Sequence, residues 1–172
     1  MDNTKKIKVA IIGASGYSGE ELLRILLKHT GVEVACITSR QYAGQTVGEV
    51  FPRFAESALR FSAPSIDEIA ALADVAFLAL PHGVAAEFAV PLVAAGVKVI
   101  DISADFRLNS TEKYLKYYGA EHPAPDLMKV AVYGSPERKR EGIKNAPLIA
   151  CPGCYPTSIV LPLAPLLKDG LI

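Results

Sequence analysis

The amino-acid sequence predicts an α/β fold built on a doubly wound, mainly parallel sheet. Two observations carry this. Short apolar runs alternate with segments of helical periodicity, the βαβ pattern that lays helices over both faces of a parallel sheet. The first apolar run also feeds directly into a glycine-rich turn that opens a helix, the Rossmann-type arrangement.

The elements follow in order. Ile7–Ile12 is a continuous apolar run, as a central parallel strand requires. Ser18–Leu27 places Leu22, Leu23, Leu26 and Leu27 at helical spacing, with Gly19 near its start. Val32–Thr38 is the second strand, and Cys36 within it reads as a core residue. Ser65-x-x-Glu68 is a capping box that opens a helix to about Leu72. Val75–Leu80 is a strand ended by Pro81, Val84–Ala95 a helix closed by Gly96, and Val97–Ile102 the next strand. Beyond it the pattern loosens. Thr111–Tyr118 reads as a short helix, Val130–Val132 and Leu148–Ala150 as short strands, and Pro136 starts a helical turn behind Ser135. Ser158–Leu167 is an apolar helix with Pro156 in its first turn.

Composition narrows the functional classes. Hydrophobic residues make up 51% and charged residues 21% of the 172, as in a globular domain. The formal net charge is +0, so no global field draws the chain to nucleic acid or to a membrane surface. The densest basic stretch, Arg138-Lys139-Arg140, is interleaved with Glu137 and Glu141 and reads as a solvated helix face. No apolar run reaches the length of a membrane span. Three cysteines are too few and too oddly spaced for a disulfide framework, which predicts a reducing, cytoplasmic setting. Asp169-Gly170 ends a helix and Leu171-Ile172 reads as an element just beginning, so the sequence predicts a piece of a longer protein. Residues 1–150 form the nucleotide-binding domain in this reading. Residues 151–172 carry the start of a second domain.

Four motifs sit where strands end. The first is Gly13-Ala14-Ser15-Gly16-Tyr17-Ser18-Gly19. Its spacing is Gly-x-x-Gly-x-x-Gly, yet the physical needs of a dinucleotide turn are met. Gly13 allows the sharp turn, Gly16 lets backbone approach a pyrophosphate, and Gly19 allows close helix–sheet packing, with the pyrophosphate on the helix N-terminus. The second is Thr38-Ser39-Arg40. NAD calls for a carboxylate at that point, whereas hydroxyls and a guanidinium suit the 2′-phosphate of NADP. A surface arginine in a loop is the alternative. The third is Leu80-Pro81-His82-Gly83, which falls beside the cofactor. His82 reads as a loop histidine with a structural hydrogen bond, or as a proton donor. The fourth, Asp101 to Arg107, brings carboxylates, the Ser103 hydroxyl and the Arg107 guanidinium to the cleft edge. There Arg107 binds a carboxylate or phosphate, or else pairs with Asp105.

Cys154, in Pro152-Gly153-Cys154-Tyr155-Pro156-Thr157, is the candidate nucleophile. A thiol at a helix N-terminus faces unpaired N–H groups and the positive end of the dipole, both of which favour thiolate. The same N–H groups can hold an oxyanion. A buried, inert cysteine is the alternative. Cys151 and Cys154 also form a C-x-x-C, compatible with a dithiol redox centre. A structural zinc site lacks its second pair of ligands, so no metal is expected.

Together these stretches, with Ala104-Asp105-Phe106-Arg107-Leu108 and Tyr133-Gly134-Ser135-Pro136-Glu137, resemble the N-terminal half of the N-acetyl-gamma-glutamyl-phosphate reductases, within the semialdehyde dehydrogenase superfamily. The resemblance runs in order across nearly the whole chain and is most specific at Pro152–Thr157. It implies an NADP-dependent reduction of an acyl phosphate through a thioester on Cys154, in arginine biosynthesis. It also implies a homo-oligomeric longer protein whose acid–base histidine lies beyond Ile172 and matches none of His29, His82 and His122. On that reading the second domain is catalytic and dimerising, and the present chain binds NADP(H) without turnover. A nucleotide-binding module without chemistry is the alternative for the chain by itself.

Overall fold

A computed structural model describes residues 5–172. Six strands form one sheet: β1 (Ile7–Ile12), β2 (Val32–Ile37), β3 (Val75–Leu78), β4 (Lys98–Asp101), β5 (Val132–Tyr133) and β6 (Leu148–Ala150). Their order is β2-β1-β3-β4-β6-β5, and every pairing is parallel. The chain starts in the middle and winds both ways, so all strand carboxyl ends reach the same edge.

Residue alternation along the strands splits the core in two. Val9 and Ile11 face α1 (Tyr17–Leu26), which contributes Leu23 and Leu26, together with Val47 and Phe61. Ala10 and Ile12 face the opposite side with Ala76, Leu78, Val99 and Leu148. These pack against α3 (Ile66–Leu72) and α4 (Ala85–Ala94). Burial of one such aliphatic side chain contributes about 1.5–3 kcal/mol. Coverage is unequal. In β3 and β4 the residues Val75, Phe77, Lys98 and Ile100 on one face are only half-buried.

Both expected helices flanking β3 form, and Ser65 makes the predicted capping box with Glu68. Thr46 and Glu49 make a second one, opening the short α2 (Val47–Val50), and a 3-10 turn follows at Pro52–Phe54. α5 (Thr111–Tyr118) matches its expected span. The expected strand Val130–Val132 is corrected: Val130 ends α6 (Pro125–Val130), and the strand is Val132–Tyr133. Pro125 sits in the first turn of α6, where its missing N–H costs nothing, and Met128 anchors the helix in the core. α7 (Pro136–Asn145) is more than a turn and kinks at Lys139. α8 (Cys154–Lys168) begins earlier than expected, so Cys154 is its first residue and Gly153 its N-cap. No residue of α8 is buried.

Candidate active site

The carboxyl ends of the central strands gather the motifs. After β1 the chain turns at Gly13, whose φ of +82° is left-handed. A Cβ there would stand 2.4 Å from the carbonyl oxygen of Ala79, so β1 and β3 exit side by side only with glycine. Gly16 is the N-cap of α1, extended at φ −88° and ψ 171°, and no side chain caps the helix. A Cβ on Gly16 would meet only open space apart from the Gly13 oxygen at 3.9 Å, which leaves the approach free for a ligand. Tyr17 and Ser18 are exposed on the first turn. Gly19 is buried, and its hydrogen stands where a Cβ would lie 2.5 Å from the Ala14 Cα. Its part is helix packing.

A cavity of about 640 Å³ opens beside this turn. Gly13, Ser15, Thr38, Ser39, Arg40, Leu80 and Pro81 all line it, drawn from three separate motifs. The hydroxyls expected to receive a 2′-phosphate also hold the chain. Thr38 Oγ1 accepts the N–H of Gly13 at 3.2 Å. Ser39 is buried; its hydroxyl donates to Ser15 Oγ at 2.9 Å and accepts the N–H of Tyr42 at 3.3 Å. Both brace the end of β2 against the glycine turn, and Arg40 alone of the three is exposed.

His82 does not line the cavity. Its Nδ1 lies 2.7 Å from the buried Oδ1 of Asp105, and its ring stacks on Tyr118 with centroids 4.3 Å apart. The structural hydrogen bond expected of this loop histidine is therefore present.

The loop after β4 turns inward. Ser103 is buried, its hydroxyl donating to Asp101 at 3.0 Å and accepting the N–H of Asp105 at 3.1 Å. Ser103, expected at the cleft edge, is turned inward, and its proton and one lone pair are used within the loop. Burial raises the Asp101 carboxyl above the ordinary range, opposed by its hydrogen bonds from Ser103. Arg107 does not pair with Asp105. Its Nε donates to the Cys151 carbonyl and its Nη2 to the Ile102 carbonyl, each at 2.8 Å. The guanidinium thus ties the exits of β4 and β6 together. A Cβ on Gly153 would stand 3.2 Å from the remaining nitrogen, Nη1.

The two thiols differ. Cys154 is exposed on the first turn of α8, whereas Cys151 is half-buried below it. Burial foremost, with the Asp101 charge adding, pushes the Cys151 thiol up to about 11. Pro156 has no N–H, so Cys154 and Tyr155 supply the free backbone donors at this helix start.

Residues 8–146 match the family described as semialdehyde dehydrogenase, NAD binding domain. The chain belongs to that family. It is 59% identical over 172 residues to N-acetyl-gamma-glutamyl-phosphate reductase of Akkermansia muciniphila, covering 98% of this chain and 50% of that protein. The same-named protein of Ectopseudomonas mendocina is 54% identical over 167 residues, covering 96% and 48%. The chain therefore spans about half the length of the curated relatives it matches. Among solved structures, aspartate semialdehyde dehydrogenase II of Vibrio cholerae superposes with a TM-score of 0.65 at 22% identity, covering 95% of this chain and 47% of that one. A probable aspartate-semialdehyde dehydrogenase of Pseudomonas aeruginosa gives 0.63 at 27% identity, covering 95% and 43%. These likenesses agree with the wholly parallel sheet.

Sequence reasoning missed the use of Asp105. Its carboxylate accepts from His82 and from the N–H groups of Gly83 (2.7 Å) and Ala85 (3.0 Å). Nothing in the local pattern announces this, because the three donors lie about twenty residues away in sequence. Among the described residues no cluster of His, Cys, Asp and Glu has the geometry of a metal site, and no helix is long and apolar enough to cross a membrane.

Proposed function

We propose that this chain is the nucleotide-binding half of an NADPH-dependent acyl-phosphate reductase, acting on N-acetyl-glutamyl 5-phosphate in cytoplasmic arginine biosynthesis. Residues 151–172 begin the catalytic and dimerising domain of what is, in this reading, a homo-oligomer. The observation that carries it is an exposed cysteine on the first turn of α8, at the same sheet edge as the nucleotide cavity. The names of the relatives agree with it.

The Cys154 thiolate attacks the acyl carbon; the C–S bond forms, the bond to phosphate breaks, and phosphate leaves, giving a thioester. The N–H groups of Cys154 and Tyr155 face the oxyanion of that attack. Arg107 holds the turn by two carbonyls and keeps Nη1 for an anionic group of the substrate. The cofactor fits the residues present: open backbone at Gly16, uncapped first-turn amides on α1 and a free guanidinium at Arg40. When bound, NADPH supplies hydride to the thioester carbon. In that chemistry Cys154 would be the leaving group, returning as thiolate. A dithiol mechanism is disfavoured by Cys151, whose thiol at about 11 yields little thiolate at neutral pH.

The test uses the longer protein that the relatives represent and the 172-residue chain side by side. The longer protein should oxidise NADPH in the presence of the acyl phosphate, and run in reverse with semialdehyde, NADP and inorganic phosphate. Cys154→Ala should abolish turnover while Cys151→Ala is mild. The 172-residue chain should bind NADPH without turnover, and iodoacetamide at pH 8 should label Cys154 ahead of Cys151. Equal loss of turnover in the two cysteine variants would return weight to the dithiol reading.

A further inference from the structure

Asp105 is a fully buried carboxylate that the chemistry above leaves without a task. Its position is unusual in what it joins. Toward the nucleotide cavity it accepts from His82, Gly83 and Ala85. Ala85 is the first residue of α4, and the N-cap residue Val84 offers that helix no side-chain acceptor. The carboxylate therefore caps α4 from a distant loop. It also pins Gly83, whose φ of +85° is left-handed. The segment so held contains Leu80, Pro81 and Val84, one wall of the cavity. Toward the cysteine turn, the Asp105 carbonyl oxygen lies 2.9 Å from Nε2 of His122, and two residues onward Arg107 ties the exits of β4 and β6.

We propose that Asp105 is a positioning residue of the cofactor site, setting the loop Leu80–Val84 against the nucleotide and in register with the loop that carries Arg107. His82 is its outer handle. A carboxylate only accepts, so Nδ1 of His82 carries the proton in this contact. The ring is otherwise steadied by Tyr118 and by the Tyr114 hydroxyl, 3.5 Å from Nε2. The proposal rests on the NADPH reading above.

The experiment is NADPH titration of the 172-residue chain, followed by nicotinamide fluorescence, for the unaltered protein, Asp105→Asn, His82→Ala and His82→Asn. An amide at position 105 keeps the volume but turns one acceptor into a donor, so one or more of the three N–H groups loses its partner. Asp105→Asn should weaken NADPH about tenfold or more, as loss of a charge-assisted hydrogen bond converts into affinity. His82→Ala should weaken it by a smaller factor. His82→Asn should restore it, because its amide nitrogen can stand near the place of Nδ1. In the ¹⁵N spectrum the protonated Nδ1 of His82 should shift in Asp105→Asn. A merely structural role predicts a lower melting temperature with NADPH affinity unchanged, and that result overturns the proposal, as does His82→Asn binding no better than His82→Ala. If Asp105→Asn does not fold, the His82 pair decides. Failure of the unaltered chain to bind NADPH removes the cofactor reading and the proposal with it; equal binding by all four proteins removes the proposal alone.

Discussion

At the scale of single residues, the cofactor site divides its labour sharply. Thr38 and Ser39 hold the end of β2 to the glycine turn, and Arg40 is exposed beside them, the residue assigned to the 2′-phosphate in the proposed reading. Arg40→Ala should therefore weaken NADPH by about 1.5–3 kcal/mol and leave NADH nearly unchanged, read by parallel titrations. Equal losses for the two cofactors would remove the 2′-phosphate assignment. His122 titrates in the opposite sense from a salt-bridged histidine. Its Nε2 meets the Asp105 carbonyl and its Nδ1 accepts the N–H of Ala124 at 2.9 Å, so a proton on Nδ1 would displace that donor. Burial is the largest cause of its lowered pKa. The unfolded chain then binds more protons than the folded one just below the ordinary histidine value of about 6.5. Stability from this source is present above that value and lost as pH falls through it toward the folded pKa. Denaturant midpoints between pH 7.5 and 5.5 should show the decline, and His122→Gln should flatten it; an unaltered slope in that variant would assign the decline elsewhere.

At the scale of elements, Gly19 is the most exacting position. A methyl group there would overlap the backbone of Ala14, which has no rotamer to yield, so α1 must retreat from β1. Gly19→Ala should cost about 1–3 kcal/mol in urea unfolding and weaken NADPH as well; an unchanged midpoint would show that the helix can shift freely. Most elements were legible in the sequence because their signals are local. The run Ile7–Ile12, the capping box at Ser65 and the span Thr111–Tyr118 each carry their own period or cap. The failures have local causes too. Thr46-x-x-Glu49 bears the same capping signature as Ser65, but only four helical residues follow it, too few to show a period. Val130 is apolar and β-branched, and Pro125 five residues earlier was the sign that a helix reached it. The site was legible in part: Gly13, Ser15, Arg40, Leu80 and Pro81 converge as the motifs imply. The reach of Asp105 to Gly83 and Ala85 is a tertiary pairing, which spacing does not encode, and Ser103 is drawn inward by bonds to Asp101 and Asp105 on either side of it.

At the scale of the whole molecule, α8 stands apart. Ile159 and Leu167 are 55% and 62% exposed, and Pro162 and Pro165 remove two of its hydrogen bonds. Such a surface favours self-association. Light scattering of the 172-residue chain should show mass rising with concentration, and Ile159→Lys with Leu167→Lys should suppress it; a concentration-independent monomer would show that α8 is covered within the chain. β5 lies outside β6 in the sheet yet precedes it in the chain, and among the described residues β6 is its sole neighbour. During synthesis β5 leaves the ribosome with nowhere to dock, and it must wait until Leu148–Ala150 has emerged and settled beside β4. β6 thus serves twice: it is the edge on which β5 docks, and it leads directly into the turn that carries Cys154, so the last strand of the sheet and the cysteine turn depend on the same three residues.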